Sequence, residues 1–119
     1  MPGVLLVDPF TDEREMFCDL LAAAGVAVIA VESETGAIRA ASGTAPAVMI
    51  VRAVIQTQAG FALVSKLRAA ATNPAPAVIL TTDGFNAYQD MPVGVEKVLL
   101  LPVLVEELVS AIYQLLPHE

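Results

Sequence analysis

The sequence predicts an α/β domain in which a doubly wound parallel sheet is covered by helices on both faces. Short apolar runs alternate with segments of helical spacing along the whole chain, and such alternation favours parallel strands joined by right-handed crossovers. The hydrophobic fraction is 56% and the charged fraction is 16%, which predicts a large apolar interior. A chain of 119 residues has room for one domain, which we expect to span residues 1–119.

The first half of the chain predicts two strands, each followed by a helix. Residues 4–8 form a continuous apolar run that ends in Asp8, which is typical of a parallel strand buried on both faces. Over residues 11–24 apolar side chains recur at helical spacing, acids occupy the first turn, and a glycine follows. Residues 26–31 form a second apolar run, and the serine that opens the segment 33–41 can cap a helix.

The second half of the chain repeats this alternation. Residues 47–51 and 77–81 are apolar runs that predict strands, and they flank a predicted helix over residues 61–71. Residues 95–101 predict a fifth strand, and after Pro102 the leucine and isoleucine residues form one stripe of a closing helix. Between the fourth and fifth strands the apolar spacing predicts one or two further helical turns. The predicted order is five strands alternating with five helices.

Composition excludes several classes of function. Asp and Glu number 13 against 6 Lys and Arg, so we expect no direct binding to nucleic acid. The apolar runs are shorter than about 18 residues and no signal-peptide pattern is present, so we expect a cytoplasmic protein that does not enter a membrane. The single cysteine, Cys18, is expected to be a structural thiol. No glycine-rich phosphate loop or dinucleotide fingerprint occurs in the sequence, so no cofactor is expected.

The residues at the carboxyl ends of the strands are the candidates for function. Ligands of doubly wound sheets bind outside these strand ends. The residues that the predicted strands place there are Asp8, Arg52, Thr81 and Leu101. No acid, base and nucleophile converge among them, so we expect no enzymatic activity.

These strand ends resemble the receiver domains of response regulators, and the resemblance covers nearly the whole chain. The segment VLLVDPFTDEREMF is similar to the family's opening strand and first helix, where two adjacent acids usually hold a magnesium ion. Here those two positions are Asp8 and Pro9. The segment PAVMIVRAVIQTQAGF is similar to the third strand and its loop, and the phosphate-accepting aspartate falls on Arg52. The resemblance implies a flavodoxin-like (βα)5 fold with strand order 2-1-3-4-5.

Two later segments carry the same resemblance. In AVILTT, Thr81 stands where a hydroxyl group normally contacts the phosphoryl group. In VEKVLLLPVLVEELV, Pro102 matches a proline that is usually cis, and Leu101 replaces the lysine that precedes it. The chain therefore resembles a degenerate receiver domain, or pseudo-receiver.

The substituted site predicts the loss of phosphoryl transfer. Arg52 is a permanent cation without acceptor atoms and cannot act as the nucleophile. Pro9 offers no side-chain oxygen to a metal ion, so we expect neither catalysis nor a metal site here. We expect instead that Arg52 pairs with Asp8 and neutralises the pocket from within.

The resemblance implies a phosphorylation-independent signalling module of a two-component, or phosphorelay, system that acts through protein contact or dimerisation. Its partners would be other signalling proteins or a fused output domain. The candidate interaction face consists of Phe85, Tyr88 and Met91, with Val98 at the position of the family's switching aromatic residue. The same side chains would alternatively cover the sheet as ordinary core.

A second hypothesis is a small-anion sensor. In that case the altered pocket around Arg52 and Thr81 would bind an anion such as a phosphorylated metabolite. The sequence also leaves open whether the chain is a segment of a longer regulator.

Overall fold

The computed structural model describes residues 3–44, 46–53, 61–70, 76–83 and 94–116. These residues form five strands and four helices. In chain order they are β1 (Val4–Val7), α1 (Thr11–Ala23), β2 (Val28–Val31), α2 (Glu34–Thr44), β3 (Val48–Arg52), α3 (Phe61–Ala70), β4 (Ala77–Thr82), β5 (Lys97–Leu100) and α4 (Val105–Leu115). The further helical turns expected between β4 and β5 lie outside the described residues.

The five strands form one parallel sheet in the order β2-β1-β3-β4-β5. Helices α1 and α4 pack on one face of this sheet, and α2 and α3 pack on the other. The predicted doubly wound sheet and its strand order 2-1-3-4-5 are therefore confirmed.

Alternate residues of each strand contribute to two separate cores. Leu6 of β1 packs with Phe17 of α1 and Ile112 of α4, whereas Leu5 packs with Leu67 of α3 on the opposite face. All four residues of β1 and all five of β3 are buried. Because both faces of the sheet are covered, these strands are apolar instead of alternating with polar residues, except for Arg52 at the carboxyl end of β3.

The second strand begins two residues later than predicted. Gly25 has a φ of +81°, a conformation that glycine adopts without a steric penalty. The N–H groups of Gly25 and Val26 donate to the carbonyl oxygens of Ala22 and Leu21, at 3.0 and 2.9 Å. Because the backbone amide of Val26 still belongs to the end of α1, β2 can start only after it.

Helix α2 is capped as predicted but runs further. The Ser33 hydroxyl oxygen accepts a hydrogen bond of 3.0 Å from the Gly36 N–H, which confirms the cap. The helix continues to Thr44, whose hydroxyl group donates to the carbonyl oxygen of Ala40 in the last turn. In the portion of the chain that the structure covers, no helix has the length and apolarity needed to cross a bilayer.

Strand β5 is shorter than predicted, although its flanking residues still bond to β4. The N–H of Glu96 donates to Val78, and that of Leu101 donates to Thr82. The peptide bond between Leu101 and Pro102 is cis, as the resemblance implies.

Candidate functional site

Three polar residues lie side by side at the carboxyl edge of the sheet. Arg52 ends β3 and is in register with Thr81 of β4, while Asp8 follows Val7, the register partner of Val51. Each of the three lies two residues beyond a strand residue of the core that α1 and α4 cover, so their side chains point to that same face. All three are buried, with exposed fractions of 0% for Asp8 and Thr81 and 9% for Arg52.

The guanidinium of Arg52 is surrounded by acceptors. Its Nε donates to Glu13 Oε1 over 2.8 Å, and its Nη1 donates to the carbonyl oxygen of Ala53 over 2.6 Å. Asp83 Oδ1 lies 3.7 Å from the same Nη1. The guanidinium carbon also lies 5.1 Å from the centre of the Phe10 ring, within range of a cation–π interaction.

The expected pairing of Arg52 with Asp8 is wrong. In the described residues Arg52 forms ion pairs with Glu13 and Asp83 and none with Asp8. The reason is that Asp8 Oδ1 turns back to accept the Phe10 N–H at 2.9 Å, while the first turn of α1 carries Glu13 over the strand ends. The pocket is neutralised from within, but by a carboxylate of the helix.

Glu13 is therefore the site residue that sequence reasoning missed. Negative charge is favourable near a helix N-terminus, and this effect explains every acid at the start of α1. It therefore gives no reason to choose Glu13 among them. The position of Glu13 in the first turn of α1 was the signal that could have identified it. A side chain in the first turn after a strand lies above the carboxyl edge of the sheet, where Arg52 needs a partner.

Asp8 has an unusual electrostatic environment. Its Oδ2 atom is buried and has no hydrogen-bond partner in the described part of the chain. Burial, the neighbouring Glu13 side chain and the charge of Glu13 together raise the pKa of Asp8 from its ordinary 3.8 to about 7. The Phe10 N–H and the charge of Arg52 act in the opposite direction. Asp8 therefore carries its proton up to near-neutral pH.

The other residues at the positions of the resemblance carry no charge. Leu101 packs against the core that α1 and α4 cover, which is where an apolar replacement for lysine is stable. The hydroxyl groups of Thr81 and Thr82 are both buried, and neither has a hydrogen-bond partner among the described residues. Pro9 and Pro102 are exposed and place no polar side-chain atom at the site.

The expected interaction face is only partly visible. Phe85, Tyr88 and Met91 lie outside the described residues. Val98 is half-buried and packs against the core under α2 and α3. Leu100, which sequence reasoning did not single out, is 48% exposed at the end of β5. Leu104 was expected on the apolar stripe of the closing helix, and that expectation is wrong: Leu104 lies just before α4 and is 70% exposed.

A magnesium ion does not fit this site. Its ligands would be oxygen atoms of closely spaced acids, but Pro9 supplies none and the guanidinium of Arg52 already bonds to Glu13. A fixed positive charge of this kind also repels a divalent cation. Within the described ranges, no group of three or more His, Cys, Asp or Glu side chains could hold a metal ion.

Comparisons with known proteins identify the fold. No protein-family model matches the sequence, and a search of curated proteins gives no match either. Solved structures do match: a CheY-like receiver domain of a Methylobacillus flagellatus response regulator superposes with a TM-score of 0.84 at 21% identity, covering 97% of this chain and 98% of that one. Chemotaxis protein CheY4 of Vibrio cholerae gives a TM-score of 0.86 at 23% identity, covering 98% and 99%.

A third match, a receiver domain protein from Clostridium thermocellum, has a TM-score of 0.81 at 22% identity and covers 96% of this chain and 93% of that one. Each of the three matches covers almost the full length of both chains. This chain has the fold of response-regulator receiver domains.

Proposed function

We propose that this chain is a receiver-like signalling module that works through protein contact and without phosphorylation, in a regulatory system of the two-component type. One observation carries the proposal. A buried Arg52, bonded to Glu13, occupies the position that matches the family's phosphate-accepting aspartate. The likeness of the fold to receiver domains supports the signalling role.

The chemistry of the site argues against an acyl phosphate. The nucleophile would have to be a carboxylate, and a divalent cation and a lysine would have to balance the phosphoryl charge. Arg52 and Leu101 replace two of these parts. The retained Asp8 is fully buried, and because its pKa is raised to about 7 it is protonated and poorly nucleophilic below that pH.

The apolar surface at the end of β5 supports a role in protein contact. Leu100 and Leu104 expose 48% and 70% of their area, although most large apolar side chains of the described residues are buried. Large exposed apolar side chains are found in protein interfaces. A signalling protein, a fused output domain or a second copy of the chain would cover them.

Analytical ultracentrifugation over a concentration series tests both parts of this proposal. With and without a small phosphodonor and magnesium, we expect the same distribution of species, because no group in the site accepts phosphate. Leu104→Asp should weaken any self-association, whereas the control Ile29→Asp, at a 46% exposed position on the opposite edge strand, should leave it unchanged. A shift in assembly caused by the phosphodonor would contradict phosphorylation independence.

The geometry argues against the small-anion sensor. Carboxylate oxygens of Glu13 and Asp83 already lie 2.8 and 3.7 Å from the Arg52 guanidinium, so an anion would have to displace them. Thermal-shift measurements with phosphate and phosphorylated metabolites should therefore show no dose-dependent rise in melting temperature. A rise that disappears in Arg52→Ala would favour the sensor instead.

A further inference from the structure

The buried carboxyl of Asp8 lies in surroundings that disfavour its ionised form. Its side chain is fully buried, and Oδ1 accepts one backbone N–H at 2.9 Å. Oδ2 is buried and finds no donor among the described residues, and the neighbouring side chain is another acid, Glu13. An ionised carboxylate in this position would be poorly solvated and would face a like charge.

A single proton resolves the problem. Two carboxyls within hydrogen-bonding distance can share one proton, so that the protonated group donates to the ionised one. Glu13 Oε1 already has a donor, because Arg52 Nε donates to it over 2.8 Å. The proton therefore belongs on Asp8 Oδ2, the atom that otherwise has no partner.

We propose that the Asp8–Glu13 pair is a proton-binding site, and that release of its proton redirects the Arg52 side chain. While Asp8 is protonated, the Arg52 guanidinium donates its hydrogen bond to Glu13. After deprotonation two carboxylates compete for Arg52, whose charge already acts on Asp8 from its place on β3. This inference does not depend on the proposed function.

In the ranges that the structure describes, the other charged groups around the pair do not supply an alternative counter-charge. Arg14 of α1 donates to the carbonyl oxygen of Asp8 at 2.9 Å and lies 3.9 Å from Glu32, beyond β2. Asp83, beyond β4, lies 3.7 Å from Arg52 and adds negative charge. On the side of β5, Leu101 is uncharged. Arg52 is thus the cation for which the carboxylates of the pocket compete.

The competition connects the buried pair to the surface. The Arg52 guanidinium lies 5.1 Å from the centre of the Phe10 ring, and Phe10 is 46% exposed. A change in the position of Arg52 would alter the support of this ring. Protonation of the buried Asp8 would then change the position of the exposed Phe10 ring beside α1.

The direction of the pH effect on stability follows from linkage. In the unfolded chain Asp8 ionises near its ordinary 3.8, whereas in the folded protein its pKa is about 7. Between these values the folded state holds one more proton than the unfolded state, so stability falls as the pH rises through this window. The unfolding equilibrium constant should rise by up to about tenfold per pH unit there and level off above neutrality.

Carbon-13 NMR of aspartate-labelled protein tests the proposal on the native sequence, with Asp8→Asn used to assign the Asp8 carboxyl signal. We expect that signal to titrate with a midpoint near pH 7. The nitrogen-15 signal of Arg52 Nε should shift with the same midpoint. An Asp8 midpoint near 4, or an Arg52 signal that stays constant while Asp8 titrates, would overturn the proposal.

Two variants test the pair independently of these assignments. In urea unfolding at a series of pH values, Asp8→Asn should lose the pH dependence between 4 and 7 that is described above. The control Asp19→Asn, at an exposed position of α1, should keep it. In Glu13→Gln the Asp8 midpoint should fall by about one unit or more, because the competing carboxylate is gone. An unchanged slope in Asp8→Asn would count against the proton-binding site even if the NMR midpoint were high.

Discussion

Arg52 and Glu13 are 39 residues apart in the sequence, yet Arg52 Nε lies 2.8 Å from Glu13 Oε1 across the carboxyl edge of the sheet. The Arg52 side chain is 8% exposed and that of Glu13 is 22% exposed. The pair therefore lies where its charges are poorly screened by solvent, and each partner depends on the other.

Removing the cation should destabilise the protein strongly. Arg52→Ala leaves the carboxylate of Glu13 without its guanidinium partner, and we expect a loss of about 3 kcal/mol in the free energy of unfolding, measured with urea at pH 7. The matched control is Arg39→Ala, which removes an arginine at an exposed position of α2 and should change the stability by less than about 0.5 kcal/mol.

A double-mutant cycle measures how much of that loss belongs to the pair. If Arg52 and Glu13 interact as observed, the loss in Arg52→Ala combined with Glu13→Gln should be smaller than the sum of the two single losses, by about 1 kcal/mol or more. Additive losses would show that the stability of the site does not depend on this contact.

Thr81→Val should stabilise the protein. The Thr81 hydroxyl is buried without a hydrogen-bond partner in the described portion of the chain, and a buried unpaired hydroxyl costs about 1–3 kcal/mol. Valine keeps the shape of the side chain and removes the polar atom, so the free energy of unfolding should rise by about 1 kcal/mol. Thr44→Val, which loses the hydroxyl bond to Ala40, should give no gain. A loss of stability in Thr81→Val would reveal a partner of that hydroxyl.

Truncation of two neighbouring residues of α1 should cost very different amounts of stability. Phe17 is fully buried against the sheet, whereas Met16 is 45% exposed. Phe17→Ala should cost about 3–5 kcal/mol in urea unfolding because it leaves a cavity in the core. Met16→Ala should cost less than about 1 kcal/mol. Similar losses in the two variants would contradict the observed orientation of α1 on the sheet.

The fold was predictable because its signals are local and redundant. Buried parallel strands leave continuous apolar runs such as residues 4–7, and crossover helices leave a periodic stripe like the one that ends in Ile112. The row of Asp8, Arg52 and Thr81 followed from the same pattern, because parallel strands end at a common edge. Strand ends were less predictable, since the turn at Gly25 delays β2 through backbone hydrogen bonds that apolarity does not encode.

The contacts within the site were predicted less well than its position. Asp8 and Arg52 occupy neighbouring strand ends, so a pairing between them was the natural expectation. The turn that starts α1 instead directs Asp8 Oδ1 to the Phe10 N–H and leaves Arg52 to Glu13. Which of two nearby carboxylates pairs with an arginine depends on the directions of the individual side chains, and residue spacing does not specify those directions.

Intact-protein mass spectrometry after incubation with a small phosphodonor and magnesium tests the central claim most directly. A receiver domain that retains its phosphate-accepting aspartate, treated in parallel, shows that the phosphodonor is active. We expect no mass gain in this chain, because Arg52 occupies the acceptor position and is bonded to Glu13. A stable gain of one phosphoryl group that maps to Asp8 would contradict the account.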